Sequence, residues 1–251
     1  MEHPSIEKKK RISVLSIPLD IVPESELEAR ITSLLADGER HQIVLLSAWD
    51  FAMAYGNSAH AVAIRRSSLI LTSSKLVVWA ARFLRFREIP RYMPFDFVIK
   101  ILNILESAGK SVYLIGGRPG YLQVAASNLR GSFPGLQIVG RCAGYFPKTN
   151  EDNILLAIKK AAPSLLLAGR GLPDKDRWLL DQRKHLSPGL AMWCGDCLEV
   201  FAGVKNKTSR ELWAKGLDFL PLLARKPWRI ARGFIYLAFL FLLIVHRMKH
   251  S

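Results

Sequence analysis

The strongest constraint on the fold of this chain is a regular alternation of short apolar runs with longer amphipathic segments. The apolar runs are nearly continuous, which is typical of strands buried on both faces of a sheet. We predict strands at 12–20, 42–47, 68–72, 111–117, 136–140, 164–169 and 190–195.

The segments between these strands carry apolar residues three and four positions apart, as amphipathic helices do. We predict helices at 24–38, 50–66, 75–85, 94–109, 120–133, 151–162 and 174–186. Strands that alternate with helices indicate an α/β fold with a mostly parallel sheet and helices on both faces. In such sheets ligands bind beyond the carboxyl ends of the strands, so the functional residues are expected in the turns that follow them.

The alternation ends after Gly203, and this is where we place a domain boundary. Residues 1–203 are predicted to form the core, with a polar N-terminal tail at 1–11, and residues 204–251 a basic helical appendage. The chain has a net charge of +15, and ten basic against two acidic residues fall within 204–251. A balance of this kind favours a polyanionic partner.

The composition of the appendage favours a membrane over a nucleic acid as that partner. Its basic residues are interleaved with Trp, Phe, Leu and Ile, and no nucleic-acid-binding module is recognisable. The apolar run Gly233–Val245 is shorter than the roughly 20 residues of a spanning helix. It is compatible with a helix in the cytoplasmic leaflet or with one packed on the core. With a polar N-terminus that lacks the pattern of a secretory signal, we expect a peripheral protein on the cytoplasmic face of the inner membrane.

The cysteines carry no sign of a metal or redox centre. Cys194 and Cys197 form a single C-x-x-C, and Cys142 has no companion that would complete a zinc site. We therefore predict core cysteines, no metal ion and no cofactor.

Three of the turns that follow predicted strands carry glycines, and two of these turns also carry an arginine. Glycine lets a backbone approach a phosphate closely, and an arginine can bind it with two hydrogen bonds. None of the turns matches the dinucleotide-binding or P-loop pattern. The three turns together predict a site for a nucleotide diphosphate, built from Gly116, Gly117 and Arg118, from Gly169, Arg170, Gly171 and Pro173, and from Gly195 and Asp196.

Several stretches of the chain in one order resemble the bacterial WecG/TagA/CpsF glycosyltransferases (glycosyltransferase family 26). They are "VLSIPLDIVPESELEARI", "LVVWAARFL", "SVYLIGGRPG", "FPGLQIVGRCAGYF", "LLLAGRGLPDKDRWL" and "FAG". The resemblance implies a Rossmann-like core with a membrane-docking appendage. It also implies transfer of a sugar such as N-acetylmannosamine from a UDP donor to a polyprenyl-diphosphate-linked sugar.

The resemblance further implies where substrates bind and where the chain departs from the family. The family's catalytic aspartate, in "PDG", falls at Ser73, and a serine is no base at neutral pH without a further group to activate it. Its T-x-N becomes Leu45 and Ser47, and its "TG-x-D" ends here in Asp96. Lys175 and Glu199 replace a glutamine and an aspartate, and an expected appendage arginine falls at Leu222. Contacts to the acceptor diphosphate and membrane are implied for Arg225, Lys226, Arg229 and Arg232.

Two hypotheses follow from this pattern. The first is an active glycosyltransferase in which Asp96, Asp50 or Asp196 supplies the base. The second is a catalytically degenerate family member that binds sugar nucleotide or acts in assembly at the membrane. The sequence leaves the sugar, the acceptor and the oligomeric state open, a homo-oligomer included.

Overall fold

The computed structural model describes residues 11–54, 58–86, 89–217, 241, 243–245, 247 and 248. The first described elements are strands β1 (Arg11–Val14) and β2 (Ile17–Asp20), which pair as an antiparallel hairpin. Leu15 and Ser16 form its turn with φ angles of 47° and 66°, the left-handed conformation that a two-residue hairpin turn requires. The prediction of one strand over 12–20 was therefore wrong, and Arg11 belongs to β1 and not to a tail.

The hairpin is attached to the main sheet by one acidic side chain. Both carboxylate oxygens of Asp20 accept hydrogen bonds from Arg11 at 2.7 Å, and Oδ2 also accepts one from the backbone N–H of Ile70 at 2.8 Å. Asp20 is buried, so the paired guanidinium compensates its charge.

A parallel sheet of six strands lies at the centre of the described chain. Its strands run in the spatial order β4-β3-β8-β7-β5-β6, so that β8, the last of them along the chain, lies between β3 and β7. This confirms the predicted α/β fold with a Rossmann-like parallel sheet. The strands are β3 Arg40–Leu46, β4 Leu69–Thr72, β5 Ser111–Ile115, β6 Gln137–Cys142, β7 Leu165–Ala168 and β8 Gly189–Trp193.

Helices cover both faces of this sheet. The helices described between residues 11 and 217 are α1 Glu24–Ala36, α2 Ala48–Met53, α3 Ala59–Arg65, α4 Lys75–Phe83, α5 Pro94–Ser107, α6 Pro119–Ser132, α7 Glu151–Ala161, α8 Asp176–Asp181, α9 Cys197–Phe201 and α10 Arg210–Lys215. Helices α1, α5, α6 and α9 form the core of one face. On the other face, α2, α3, α4 and the hairpin pack on β3 and β4, while α7 and α8 pack on the remaining strands.

The predicted helices at 50–66 and 174–186 are shorter in the structure. The first divides into α2 and α3, because the Ser58 hydroxyl accepts a hydrogen bond from Ala61 N–H at 3.1 Å and begins a new helix. The second is α8 followed by a 3₁₀ turn at Arg183–His185.

Candidate active site at the carboxyl edge of the sheet

The turns that follow the six strands meet at one edge of the sheet, and they differ in what holds them. We call Gly116–Arg118, Gly169–Gly171 and Gly195–Asp196, after β5, β7 and β8, the glycine turns. We call Ser47–Asp50 and Thr72–Ser74, after β3 and β4, the hydroxyl turns. The order of the strands places the two groups of turns side by side.

Two of the glycine turns pack against each other through backbone atoms. A Cβ atom on Gly116, whose φ is 127°, would lie 2.7 Å from the carbonyl carbon of Gly169. The N–H of Gly117 donates to the carbonyl of Arg170 at 2.7 Å, and that of Gly169 donates to the carbonyl of Ile115 at 2.7 Å. Close backbone packing therefore explains why these positions are glycine, and their predicted contact with a phosphate stays a prediction.

Gly171 makes the same kind of contact with the loop that follows β6. Its φ is 93°, and an added Cβ would lie 2.7 Å from the backbone nitrogen of Tyr145. The predicted Pro173 comes two residues later, in the loop that leads into α8.

The cations of the glycine turns differ in their surroundings. Arg118 is the N-terminal cap residue of α6 and its side chain is exposed. Arg170 forms an ion pair with Asp196, and Lys205 pairs with the other oxygen of the same carboxylate. Asp196, after β8, thus links Arg170 and Lys205 in a chain of three charges that is partly open to solvent.

Glu199 places a carboxylate beside the glycine turns. It is buried, and its Oε2 has no hydrogen-bond partner among the described residues. Its Oε1 would lie 4.0 Å from a Cβ at Gly117. A buried acceptor without a donor is costly, so this oxygen is suited to accept a hydrogen bond from a bound hydroxyl.

The two cysteines that precede Glu199 belong to the core. Cys194 and Cys197 are both buried and unoxidised. A hydrogen bond with Cys197, together with burial, raises the pKa of the Cys194 thiol. A raised pKa disfavours the reactive thiolate.

Ser73, where the resemblance places the catalytic base, makes contacts of a structural kind. Its hydroxyl donates to the carbonyl of Leu46 at 3.2 Å, and its backbone N–H donates to the same carbonyl at 3.0 Å. Its own carbonyl accepts a hydrogen bond from the indole of Trp213 at 3.2 Å. Arg91 stacks over the Trp213 ring, 3.8 Å from its centroid, so α10 is held over this turn.

Asp96 lies in the first turn of α5 and forms an ion pair with Arg210 at 2.9 Å. Both ends of this pair are partly exposed to solvent. Asp96 is thus bound to the segment that also carries Trp213.

A group of charges beside the hydroxyl turns was missed by the sequence analysis as a group. Asp50 accepts a hydrogen bond from the Ser47 hydroxyl at 2.5 Å, in a capping box at the start of α2. The other oxygen of Asp50 lies 3.4 Å from Lys175 Nζ and 3.9 Å from His60 Nε2. Burial lowers the pKa of His60 below its usual value, despite the nearby Asp50 charge.

Asp176 completes this group from the first turn of α8. It is buried, and its Oδ1 has no partner among the described residues. Burial, and next the charge of Asp50, raise the pKa of Asp176 to about 7. Lys175 beside it has a φ of 48°, which is strained for a non-glycine residue and typical of functional sites. No local signal points to His60 or Asp176, since each looks in sequence like an ordinary helix residue.

The predicted acceptor residues Arg225, Lys226, Arg229 and Arg232 lie outside the described residues, as does Leu222. Within the described part of the chain no helix is both long and apolar enough to cross a bilayer. The described residues near the C-terminus are helical and contact the core: Leu243 is buried among residues of α2, α3 and α4, and Arg247 donates to the carbonyl of Phe83 at 2.8 Å.

Comparison with known proteins agrees with this architecture. The sequence model of the Glycosyl transferase WecG/TagA/CpsF family matches residues 12–251. The chain belongs to this family. It is therefore a glycosyltransferase, and the six-stranded sheet is the core of that enzyme.

The named relatives are similar to this chain at low sequence identity. The chain is 21% identical over 199 residues to the N-acetylglucosaminyldiphosphoundecaprenol N-acetyl-beta-D-mannosaminyltransferase of Staphylococcus aureus (strain NCTC 8325 / PS 47), with 78% of each protein covered. The proteins of the same name from strains COL and N315 match with the same identity and coverage.

Proposed function

We propose that this glycosyltransferase moves an N-acetylmannosamine-like sugar from a UDP donor to a polyprenyl-diphosphate-linked sugar in envelope polysaccharide synthesis. The observation that carries the proposal is the match to the family over almost the whole chain, together with the glycine turns at the carboxyl edge of the sheet. The relatives from Staphylococcus aureus are named for transfer of this sugar to an undecaprenyl-diphosphate-linked acceptor.

The glycine turns are the proposed donor side. Arg118 and Arg170 supply cations for the diphosphate of UDP, and an arginine binds phosphate oxygens with two parallel hydrogen bonds. Asp196 neutralises Arg170 before the donor arrives, and Lys205 remains to balance Asp196 when Arg170 turns to the phosphate. The unpaired oxygen of Glu199 accepts a hydroxyl of the donor sugar.

The hydroxyl turns and the appendage are the proposed acceptor side. Trp213 and Arg210 hold the start of the appendage over Ser73 and Asp96, so the acceptor approaches from this side. Arg225, Lys226, Arg229 and Arg232 are proposed to bind its diphosphate at the membrane surface.

The proposed membrane contact is supported by the described C-terminal residues. Phe241, Ile244 and Met248 are 66%, 51% and 76% exposed, and their spacing puts them on one side of a helix. Leu243, on the opposite side, is buried in the core. An exposed apolar face on a basic segment favours binding at the surface of an anionic membrane, which we propose is the cytoplasmic face of the inner membrane.

A transfer assay tests the proposed reaction. Purified protein is incubated with UDP-N-acetylmannosamine and N-acetylglucosamine linked to a polyprenyl diphosphate, and the lipid product is followed by mass spectrometry. We expect a product that is heavier by one N-acetylhexosamine residue. UDP-glucose, UDP-N-acetylglucosamine and an acceptor without the diphosphate serve as controls. Absence of product, with UDP still binding, would favour the catalytically degenerate alternative.

A vesicle assay tests the membrane contact separately. The triple variant Phe241→Ser/Ile244→Ser/Met248→Ser is expected to bind anionic vesicles more weakly than the wild type, with an unchanged Tm. Leu243→Ala is the matched control from the buried side of the same segment. It opens a cavity in the core and costs about 2–5 kcal/mol of stability, but it leaves the three exposed side chains in place. Equal vesicle binding by the triple variant and the wild type would contradict the proposed contact.

A further inference from the structure

Transfer of a sugar to an acceptor hydroxyl releases a proton, and Ser73 has no means of taking it. Its Oγ lies 3.2 Å from the carbonyl of Leu46 and acts as a donor there. Among the described residues, no carboxylate or imidazole contacts this hydroxyl. The position that the resemblance gives to the base is therefore chemically inactive in this chain.

Three carboxylates are candidate bases from the sequence, and two of them are bound to arginine. Asp196 is paired with Arg170 and Lys205, and Asp96 with Arg210. Each of these two carboxylates therefore has an oxygen engaged by a guanidinium, whereas the cation nearest Asp50 is Lys175, whose Nζ lies 3.4 Å from Oδ1.

Asp50 is the carboxylate next to the inactive position. The end of β3 pairs directly with the end of β4, Leu46 with Thr72, and the Ser73 N–H donates to the Leu46 carbonyl at 3.0 Å. Asp50 lies in the turn that follows Leu46, oriented by the Ser47 hydroxyl at 2.5 Å. Its side chain is 16% exposed, which leaves it accessible to a substrate.

Asp50 also lies where the two groups of turns meet. Lys175, whose Nζ is 3.4 Å from Asp50 Oδ1, is carried by the loop that begins with the Gly169–Gly171 turn. A base for this reaction has to reach the proton of the acceptor hydroxyl at the place where acceptor and donor meet. A residue at the junction of the two groups of turns is placed for that role.

Asp50 belongs to a cluster of charged groups from α2, α3 and the start of α8. Lys175 and His60 face one of its oxygens, and Asp174 and Asp176 are the other charged groups of the cluster. The buried Asp176 carboxyl, with its unpaired Oδ1, adds negative potential when it ionises.

We propose that Asp50 is the general base of this enzyme, displaced from the Ser73 turn to the adjacent one. This rests on the proposed function. The acceptor hydroxyl oxygen forms a bond to the anomeric carbon of the donor sugar while the bond from that carbon to the UDP oxygen breaks, and UDP leaves with the electron pair. The hydroxyl proton passes to the Asp50 carboxylate, and from there to solvent. His60 and Lys175 are positioning residues that hold the carboxylate in place.

Two substitutions at one position separate this role from a structural one. Asp50→Asn removes the base, and we expect kcat to fall roughly 10²–10⁴-fold while UDP still raises the Tm. Asp50→Glu keeps the capping box, in which Glu is a preferred residue, but moves the carboxylate by one methylene. We expect it to keep the Tm and to lose at least about tenfold in kcat, since catalytic geometry tolerates little displacement. Asp181→Asn, which removes an exposed carboxylate paired with Arg177, is the matched control and should keep the wild-type rate.

A rescue variant tests whether the role of the base has moved from the Ser73 turn to Asp50. In the Asp50→Asn background, Ser73→Asp should recover at least about tenfold in kcat, because it returns a carboxylate to the neighbouring turn. An Asp50→Asn enzyme with the wild-type rate would overturn the proposal, and so would an Asp50→Glu enzyme with unchanged kcat if Asp50→Asn fails to fold. If the wild type binds UDP but transfers no sugar, the proposed function itself is wrong and the base assignment is withdrawn with it.

Discussion

The glycine turns and the hydroxyl turns lie on the same edge of one sheet, but the first are held by contacts between backbone atoms and the second by side-chain hydrogen bonds. The glycine turns touch through backbone atoms, as between Gly116 and Gly169, so the residue type is fixed by the packing. The hydroxyl turns are held by side chains, with Thr72 and Ser73 both donating to the carbonyl of Leu46. A side-chain contact of this kind can be lost or replaced at a cost of about 1 kcal/mol. Chemistry can therefore change in the hydroxyl turns without a change of fold.

The largest effect is expected from a single methyl group in the glycine turns. Gly116→Ala should lower the free energy of unfolding by about 3 kcal/mol, because the new Cβ would overlap the Gly169 backbone at a φ that alanine avoids. Denaturant unfolding measures this. Gly131→Ala is the control: the site is open and helical, so alanine should stabilise by up to about 1 kcal/mol. Equal stability of the two variants would contradict the claim that backbone packing fixes the residue type in the glycine turns.

The next effect concerns the charge in the glycine turns. Arg170→Ala should weaken UDP binding roughly tenfold or more, since a hydrogen bond to a charged group contributes about 1.5–3 kcal/mol. The increase in Tm with UDP concentration measures the affinity. Arg177→Ala, which removes an exposed arginine from α8, should leave the UDP response as it is. A full response in Arg170→Ala would move the diphosphate site away from this turn.

A smaller effect is expected from Asp176, next to the hydroxyl turns, as a function of pH. The pKa of this carboxyl in the folded protein is raised from 3.8 to about 7, chiefly by burial. The folded state therefore binds its proton more tightly than the unfolded state does. The resulting stability is complete below about pH 4 and is lost as the pH rises through 7.

Asp176→Asn does not titrate, so its stability relative to the wild type should improve as the pH rises from 4 to 7.5. Unfolding in urea at several pH values measures the difference. In a thermal experiment, each 1 kcal/mol of difference in unfolding free energy corresponds to roughly 2–4 °C in Tm for a chain of this length. Asp181→Asn, on the same helix but exposed, is the control. Parallel curves for wild type and Asp176→Asn across this range would show that the buried carboxyl keeps its ordinary pKa.

The smallest effect is expected at Ser73. Ser73→Ala removes one hydrogen bond to the Leu46 carbonyl, which also accepts from Thr72 and from the Ser73 N–H. We expect less than about tenfold change in kcat, far below the 10²–10⁴-fold of a lost base. A variant without activity, folded and binding UDP, would show that the hydroxyl itself takes part in the reaction.

The sequence by itself determined the parallel sheet, its helices and the glycine turns. These depend on local patterns: the period of apolar residues along a segment, and glycines where a strand gives way to a helix. The same local reasoning failed at Leu15 and Ser16, where a hairpin turn forms without the usual Gly or Asn. It also placed one helix over 50–66, where the Ser58 cap starts a second helix.

Only the tertiary structure decided which side chains lie around Asp50 and around Ser73, the position of the family's base. Lys175 and Asp50 are 125 residues apart in the chain, and Trp213 and Ser73 are 140 apart. Such contacts follow from the order of the strands, with β8 inserted between β3 and β7, and no local pattern encodes that order. The burial that raises the pKa of Asp176 arises in the same way, because it depends on the strands and helices packed around the carboxyl and not on its neighbours in sequence.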